Sequence, residues 1–349
     1  MTQRFAQLLV DWQRRCGRSS LPWQAYDGVY ERWLSEIMLQ QTQVETVKGY
    51  FLRFIERFPT VQALAEAQED EVLALWAGLG YYSRARNLHK AARLVVHHLG
   101  GRFPDTAEGL AQLPGVGPST AGAVAAFCFG ERAVMCDGNA KRVLARLFAE
   151  PGRLGDRDFE RRVWARAESL LPEEALMADY TQGLMDLGAT CCTRRRPACD
   201  RCPAVPLCRA YRTGLPEAYP APKARKERPH KALRLHFLFR DDALWLKRRD
   251  EAGVWRGLWL PYACEDGETP DGVTVLASET LERFAHDFTH YRLWITPVVS
   301  VVRGDGPHGG RWTRTSERAA LGVPAPVAEL LPVVERLARS LSLKASACG

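Results

Sequence analysis

The segment 113–129, LPGVGPSTAGAVAAFCF, decides the fold of the first part of the chain. Its opening predicts a tight turn, because Gly115 and Gly117 on either side of Val116 tolerate positive φ and let another backbone approach closely. The small and apolar residues from Pro118 onward predict a helix that starts directly after the turn. A helix, a glycine hairpin and a second helix can present N–H groups and a positive helix end to a phosphate. A plain turn between packed helices is the alternative, but the full motif favours a DNA-backbone clamp.

The sequence around this hairpin changes character twice. From the amino terminus to about Leu187 the apolar residues recur at helical spacing, and prolines and glycines divide them into short segments. Residues 209–230 are rich in proline and unpaired basic residues and predict an exposed linker. Beyond it, LRLHFLF, ALWLKR and LWITPVVSVV have the content of strands, and the segment from Val327 to Leu341 predicts a closing helix. We therefore expect a mainly α domain followed by an α+β domain.

The composition is that of a folded protein with a modest positive charge. Of 349 residues, 46% are hydrophobic and 26% are charged, so the chain can bury more than one core. The net charge of +7 suits a polyanionic partner, although such an excess also occurs in proteins that bind no nucleic acid. No apolar run approaches the roughly 18 residues of a membrane span, and the first residues predict an amphipathic helix rather than a secretory signal. We expect a cytoplasmic monomer with no membrane partner.

Five of the ten cysteines lie close together in the sequence. Cytosolic thiols stay reduced, so this group predicts a metal site rather than disulfides. Four of them have the spacing C-x6-C-x2-C-x5-C, and four thiolates suit zinc or an iron–sulfur cluster; they are Cys192, Cys199, Cys202 and Cys208. Zinc ribbons usually carry two CxxC pairs and this chain has one, so the spacing favours one [4Fe-4S] cluster, with zinc as the alternative. Cys191 adjoins the first ligand and leaves that assignment open.

Two carboxyl groups stand out by their surroundings. Glu36 lies among apolar neighbours in WLSEIMLQ, where burial in a helix would raise its pKa and keep it protonated as a general acid needs. Asp137 ends an apolar run before a helical segment, where N–H groups and the helix dipole would hold it ionised. A surface glutamate and a simple helix cap are the plain alternatives. Opposed environments would divide acid and charge-stabilising roles between the two.

Several ordered segments together resemble one family. LPWQ, WLSEIMLQQTQV, GLGYYSRARNLHKAA, LPGVGPSTAGA, DGNAKRVLAR and MDLGATCCTRRRPACDRCP resemble the MutY-type adenine DNA glycosylases of the helix-hairpin-helix superfamily. The resemblance is dense over about the first 208 residues. It implies a helical glycosylase domain over 1–208, with a six-helix-barrel part at about 25–133 and an iron–sulfur part formed by 1–24 and 134–208. A Nudix-like domain over 231–343 would follow.

The resemblance also implies roles for residues of the first domain. Glu36 would protonate the adenine ring and Asp137 would stabilise the oxocarbenium sugar, with Ser119 and Asn139 as supporting residues. Trp23, Gln24 and Gln182 match positions that line the adenine pocket. The residues expected to contact DNA, in addition to the hairpin, are Gln40, Gln41, Tyr81, Tyr82 and Arg84. Gln41 and Tyr81 match the positions that wedge into the stack when a base is extruded. Core packing is the alternative for Tyr82.

The residue at position 119 separates two classes of glycosylase. Bifunctional relatives such as endonuclease III have a lysine two residues beyond the hairpin, and this lysine forms a Schiff base with the sugar. Ser119 stands there in this chain, so we expect a monofunctional enzyme. A helix cap is the plain interpretation of this serine, and it agrees with that conclusion.

In the second domain, the segment Phe288, Thr289 and His290 stands where relatives carry Phe-Ser-His and contact oxidised guanine. Threonine keeps the hydroxyl and adds a methyl group, and an ordinary amphipathic strand is the alternative. The glutamate-rich Nudix box is missing, so we do not expect metal-dependent phosphate hydrolysis.

The sequence therefore predicts a monofunctional glycosylase of base excision repair. Its substrate would be double-stranded DNA in which adenine is mispaired with 8-oxoguanine or guanine. The competing hypotheses are a nucleotide pyrophosphohydrolase, a non-catalytic iron–sulfur DNA-binding protein, and a thymine-removing mismatch glycosylase, which normally lacks the second domain.

Overall fold

The computed structural model describes residues 2–222, 227–251, 253–264, 269–318 and 320–347. It separates into two units, of which the first comprises Met1–Glu66 and Asn87–Arg225. The second comprises Ala67–Arg86 and Lys226–Gly349. Residues 67–86, assigned to the helical domain from sequence, thus group with the later part of the chain. The predicted boundaries at 208 and 231 remain predictions.

Unit 1 is helical, as the apolar spacing predicts. Its helices are α1 (Thr2–Cys16), α2 (Val29–Leu39), α3 (Val44–Arg57), α4 (Val61–Glu66), α6 (Ser83–His98, whose first residues belong to unit 2), α7 (Ala107–Leu110), α8 (Pro118–Phe129), α9 (Gly138–Phe148), α10 (Arg157–Ser169), α11 (Met177–Asp186) and α12 (Arg209–Arg212). A π-helical turn at Leu187–Cys191 continues α11 into the cysteine loop. Helix α5 (Glu69–Trp76) belongs to unit 2.

One core cluster of unit 1 joins the first helix to helices far along the chain. Phe5 and Leu9 of α1 are buried with Leu144 of α9 and with Tyr180 and Leu184 of α11. Each of these residues takes its place on the apolar stripe of an amphipathic helix. The cluster also includes Cys191, so the beginning of the cysteine loop is anchored in this core.

The helix-hairpin-helix predicted from LPGVG is present. Helix α7 leads to Gly115, whose φ of 80° is a left-handed conformation that favours glycine, and α8 starts at Pro118. A Cβ on Gly115 would lie 2.8 Å from the Cβ of Asn87, so a larger residue would also clash. The hairpin therefore requires glycine at this position.

Unit 2 is built on a mixed sheet. Its strands are β1 (His230–Arg240), β2 (Ala243–Arg248), β3 (Trp259–Leu260), β4 (Tyr262–Cys264), β5 (Val273–Thr280), β6 (Phe284–Asp287), β7 (Arg292–Gly304) and β8 (Arg311–Arg314), followed by helices α13 (Thr315–Arg318) and α14 (Ala325–Ala347). The main path of the sheet runs β3-β2-β1-β7-β5, with β1 and β7 parallel. The three predicted strands and the closing helix correspond to β1, β2, β7 and α14.

Side-chain contacts explain why residues 67–86 belong to unit 2. Leu73 of α5 lies against Gly257 and Gly322, where glycine leaves room for its side chain. Arg248 of β2 donates a 2.7 Å hydrogen bond to Glu69, and the indole of Trp259 donates one of 3.3 Å to Asp70. Sequence spacing could not show this, because the partners are more than 170 residues apart.

Across the described ranges, none of the helices has the length and apolar character needed to cross a membrane.

Candidate active site

Glu36 is buried in α2, as the sequence predicts. Only 9% of the residue is exposed. Burial raises its pKa to about 7, the nearby charge of Asp137 acts in the same direction, and the Arg32 guanidinium opposes both. The guanidinium itself lies 4.1 Å from the ring centroid of Phe127 on α8. Glu36 is therefore a carboxyl group that can hold a proton near neutral pH.

Asp137 is the N-cap of α9, and its Oδ1 accepts a 2.7 Å hydrogen bond from the Ala140 N–H. The sequence predicted that N–H groups and the helix dipole would hold this carboxyl ionised, in an environment opposed to that of Glu36, and the predicted opposition is not found. Burial raises the pKa of Asp137, and the N–H groups of Ala140 and Asn139 together with Arg142 and Lys141 only oppose the rise. Both carboxyl groups thus shift in the same direction, because the site removes both from water.

Ser119 and Gly122 on α8 place the segment that leads to Asp137. The Ser119 hydroxyl accepts a 3.0 Å hydrogen bond from the Cys136 N–H, and Gly117, not Ser119, caps the helix. A Cβ on Gly122 would collide with the Val134 carbonyl, so glycine lets the segment pass close to the helix. Ser119 therefore has a positioning role in addition to its lack of an amine.

An open cleft of about 1080 Å³ in unit 1 is lined by Asp137 and Asn139. Gln40, Gln41, Arg142, Arg146, Arg194 and Arg195 also line it. Gln40 donates to the Gly115 carbonyl at 3.3 Å and to the Thr120 hydroxyl at 3.2 Å, which ties the end of α2 to the hairpin. The guanidinium and amide groups of this cleft suit contact with an anionic ligand such as a phosphate, and the Asp137 carboxyl group lines the same cleft.

Gly115 and Gly117 of the hairpin are exposed to solvent, and so is Gln41. Val116 is buried between Gly115 and Gly117, and a Cβ on Gly117 would meet no atom within 4 Å. The backbone of Gln41 has φ 58°, in the left-handed region that non-glycine residues rarely adopt. This conformation is found at functional sites more often than elsewhere.

The cysteine loop is tied to α9 by two arginines that the sequence analysis did not single out. Arg142 donates to the Asn139 side chain at 2.9 Å, to the Gly188 carbonyl at 2.6 Å and to the Cys192 carbonyl at 2.9 Å. Arg146 is buried and contacts Cys192 Sγ at 3.3 Å. Their spacing of four residues, which puts both on one helix face, was the signal available in the sequence.

The four candidate ligands form one group of thiols. The pKa of each of Cys192, Cys199, Cys202 and Cys208 is raised, mainly by burial except at Cys202, where a hydrogen bond with Cys191 comes first. Charges on neighbouring cysteines add to the rise at all four. In the described residues, no three or more His, Cys, Asp or Glu side chains are arranged around a single metal ion. Four thiols whose charges influence one another, with the buried Arg146 beside Cys192, have the donor chemistry that an iron–sulfur cluster requires.

All three adenine-pocket candidates make contacts within unit 1. Trp23 is buried with its ring 5.7 Å from that of Phe51, and Gln24 accepts from the Leu21 N–H and donates to the Arg18 carbonyl, both at 2.9 Å. Gln182 donates to Asp186 at 2.9 Å. Their side chains are thus committed to protein contacts.

The probing candidates of unit 2 differ in exposure. Tyr81 is exposed, with φ 48°, and its hydroxyl lies 2.9 Å from that of Thr289. Tyr82 is buried, as in the packing alternative, and donates to the Val323 carbonyl at 3.3 Å. Arg84 is also buried, and it donates to the carbonyls of Leu79 and Gly80 at 3.1 and 3.2 Å. The geometry places Arg84 as a support of the Tyr81 loop.

The Phe288-Thr289-His290 segment forms a hairpin tip instead of a strand. It connects β6 to β7, and the Phe288 N–H donates to the Tyr291 carbonyl at 2.9 Å. Thr289 and His290 are exposed, while Phe288 packs 4.8 Å from the ring of Tyr291. The tip therefore presents two polar side chains on an aromatic base.

Comparisons with known proteins agree with these features. Residues 34–169 match the HhH-GPD superfamily of base excision DNA repair proteins, and residues 235–332 match the NUDIX domain. An adenine DNA glycosylase of Buchnera aphidicola (subsp. Acyrthosiphon pisum) is 34% identical over 94% of this chain and 96% of its own length. The human adenine DNA glycosylase is 46% identical over 58% of this chain and 38% of its own.

Solved structures are similar over the helical part. A thermostable thymine-DNA glycosylase has a TM-score of 0.53 and 28% identity, and covers 61% of this chain and 97% of its own. An endonuclease III in a trapped DNA complex has a TM-score of 0.51 and covers 61% and 98%, and at 23% identity it supports the fold alone. The 34% identity with the Buchnera protein over nearly the full length of both chains, together with both domain matches, shows that this chain belongs to the adenine DNA glycosylase family.

Proposed function

We propose that this protein is a monofunctional glycosylase that removes adenine mispaired with 8-oxoguanine or guanine during base excision repair. The observation that carries the proposal is the pair Glu36 and Asp137 in unit 1, where Glu36 is buried, can be protonated near neutrality and is electrostatically coupled to Asp137. The substrate assignment follows from membership of the adenine DNA glycosylase family.

The two carboxyl groups have complementary tasks in this proposal. Glu36 donates its proton to a ring nitrogen of adenine, so that the glycosidic C–N bond breaks with its electron pair on the base. Asp137 acts as the carboxylate that stabilises the positive charge left on the sugar. Water then adds to the sugar and loses a proton, which gives an abasic site. The N–H groups that bond Asp137 and the neighbouring Arg142 favour its charged form.

The absence of an amine at position 119 supports hydrolysis without strand cleavage. Ser119 is engaged with the Cys136 N–H and cannot form a Schiff base with the sugar. We therefore expect borohydride to trap little protein–DNA adduct and strand breaks to appear only after alkali. Efficient trapping that survives replacement of nearby lysines would overturn this part of the proposal.

Cys192, Cys199, Cys202 and Cys208 would hold one [4Fe-4S] cluster. When bound, the cluster would cross-link the loop covalently and so fix its backbone. Arg146 supports the loop from α9, since it donates to the Thr193 and Arg194 carbonyls at 2.6 and 3.0 Å. We expect yellow-brown protein whose visible absorption is lost in Cys199→Ser. Colourless protein with stoichiometric zinc would contradict the cluster.

The hairpin tip of unit 2 would read the base opposite adenine. Thr289 and His290 are its exposed polar side chains, and hydrogen bonds to a base edge are worth about 1–3 kcal/mol of discrimination each. His290→Ala should therefore lower the preference for 8-oxoguanine over guanine, with a smaller effect on the guanine duplex.

The test is single-turnover excision on duplexes that pair A, T, G or C with guanine or 8-oxoguanine, at matched salt. Salt is matched because phosphate contacts change the rates on all duplexes together. Selective adenine release opposite 8-oxoguanine would support the proposal. Thymine release would instead favour the mismatch enzyme, and an inactive protein that binds these duplexes would favour a non-catalytic role.

A further inference from the structure

Trp255 adopts an unusual conformation in the loop between β2 and β3. Its φ is 64°, a genuine outlier for so bulky a residue, and such a conformation persists only where the surroundings hold it. The Leu258 N–H donates to the Trp255 carbonyl at 3.0 Å, and the Gly257 N–H donates to the Arg249 carbonyl at 2.6 Å. These bonds fix the loop, and the indole is buried.

The indole of Trp255 forms the base of the hairpin tip. Its ring centroid lies 5.4 Å from that of Phe288 in an edge-to-face arrangement and 5.9 Å from that of His286. Phe288 and His286 are themselves 4.8 Å apart. The exposed Thr289 and His290 follow directly after Phe288, so the indole is one of the aromatic groups on which this part of the tip rests.

The same loop contacts the segment that carries Tyr81. Arg86 donates to the Arg256 carbonyl at 2.5 Å, next to Trp255, and Gly257 lies against Leu73 of α5. On the other side, the Thr289 hydroxyl lies 2.9 Å from that of Tyr81. Within unit 2 these contacts connect Tyr81 to Thr289 and, through the neighbouring Phe288, to Trp255. The loop that carries Trp255 in turn contacts Arg86 on the helix that follows Tyr81.

We propose that Trp255 is a positioning residue for partner-base specificity: it holds Phe288, and through Thr289 it sets the orientation of Tyr81, so that the hairpin tip and Tyr81 act as one probe. The inference rests on the proposed function of the tip. It assigns no contact between Trp255 and DNA, since the side chain is buried beneath the tip.

The experiment compares Trp255→Leu and Trp255→Phe in the full-length protein. Single-turnover excision is measured on 8-oxoguanine:adenine and guanine:adenine duplexes, and folding is checked by thermal unfolding. Trp255→Leu should lower the ratio of the two rates about tenfold, because it removes the aromatic packing beneath Phe288. Trp255→Phe keeps an aromatic ring and should change the ratio less than about threefold.

The matched control is Trp294→Leu on β7. Trp294 packs against Arg283 and His230 and not against Phe288, so its loss should leave the ratio unchanged. A second readout is a double-mutant cycle with Tyr81→Phe and Thr289→Val, which measures whether the two substitutions affect the ratio of the two excision rates independently. Coupling between them should be present in the wild-type background and lost in Trp255→Leu.

The outcomes separate this inference from the proposed function. If Trp255→Leu lowers both rates equally or leaves the ratio intact, Trp255 is not a specificity-positioning residue. His290→Ala in the same assay then tells whether the tip reads the partner base at all. Should Trp255→Leu fail to fold, Trp255→Met is measured against the same criterion, since methionine fills the space without an aromatic ring.

Discussion

At the scale of single residues, the chemistry depends on how far Glu36 is removed from water. Desolvation is the largest influence on its pKa, and Arg32 offsets only part of it. An acid with a pKa near the working pH keeps a useful protonated fraction and still releases its proton readily. The position of Glu36 on the buried face of α2 therefore explains why its pKa suits a general acid.

We predict that the rate of adenine excision falls as the pH rises through about 7, because Glu36 loses the proton that it must donate. Glu36→Gln should lower the single-turnover rate by about 10²–10⁴-fold and remove this dependence. The measurement is a pH series of single-turnover rates with saturating enzyme. Binding to an 8-oxoguanine duplex serves as the control and should hardly change. A wild-type rate that stays constant from pH 6 to about 9 would contradict the role of Glu36.

The same burial has a consequence for stability. A carboxyl group whose pKa is raised by folding stabilises the protein below the unfolded-state pKa, and this contribution is lost as the pH rises to about 7. Glu36→Gln should therefore become more stable relative to wild type between pH 5 and 8, by up to about 3 kcal/mol. Denaturant unfolding of both proteins at the two pH values tests this. A difference that does not vary with pH would show that Glu36 is not desolvated.

Among the secondary-structure elements, the hairpin between α7 and α8 is the one whose backbone conformation bears most directly on the predicted contact with DNA. Position 115 requires glycine because its φ is positive and the Asn87 side chain lies close to it. Gly117, in contrast, has an ordinary φ of −85° and open space beside it. The fold thus requires glycine at position 115, whereas at position 117 it leaves room for a larger residue or for another molecule.

We predict that Gly115→Ala destabilises the protein by about 1–3 kcal/mol, since it forces alanine into a left-handed conformation and against Asn87. Gly117→Ala should destabilise the protein by less than about 1 kcal/mol, because alanine is a poorer N-cap than glycine but its methyl group meets no protein atom. It should weaken DNA binding, because the methyl group occupies the space where a phosphate would approach. Denaturant unfolding and binding to an undamaged duplex measure the two effects. Equal losses of binding and stability in both variants would mean that the hairpin is only a turn between packed helices.

At the scale of the whole molecule, the two units do not follow the order of the chain. Residues 67–86 depend on contacts with the sheet of unit 2, through Leu73, Glu69 and Asp70. A chain ending near Tyr219 would lack these partners. Such a chain should therefore lose both its preference for 8-oxoguanine over guanine and the orientation of the Tyr81 side chain. Its rate of adenine excision should fall as well.

We predict that amide hydrogen exchange in α5 becomes faster in a chain ending at Tyr219. Such a chain lacks the residues that bury Leu73 and the Arg248 side chain that forms an ion pair with Glu69. Exchange in α9 should be unchanged and serves as the internal control. Hydrogen exchange followed by mass spectrometry compares the truncated and full-length proteins. The same protection of α5 in both would show that residues 67–86 do not need the later part of the chain.

Features that depend on local pattern could be predicted from the order of the residues alone. The helices of unit 1, the hairpin at Gly115, the cap at Asp137, the burial of Glu36 and the three main strands of unit 2 follow from residue spacing, glycine conformation and capping chemistry. Family membership was also readable from ordered motifs. The finer site roles remain predictions, because they concern DNA that the sequence can name only by resemblance.

Features that depend on contacts between distant residues became visible in the folded protein. It showed that Asp137 is desolvated along with Glu36, that Arg84 and Tyr82 are buried, and that Arg142 and Arg146 join α9 to the cysteine loop. It also grouped residues 67–86 with unit 2. Burial and hydrogen-bond partners are set by segments far apart in the chain, and a local pattern carries no information on which of them will meet.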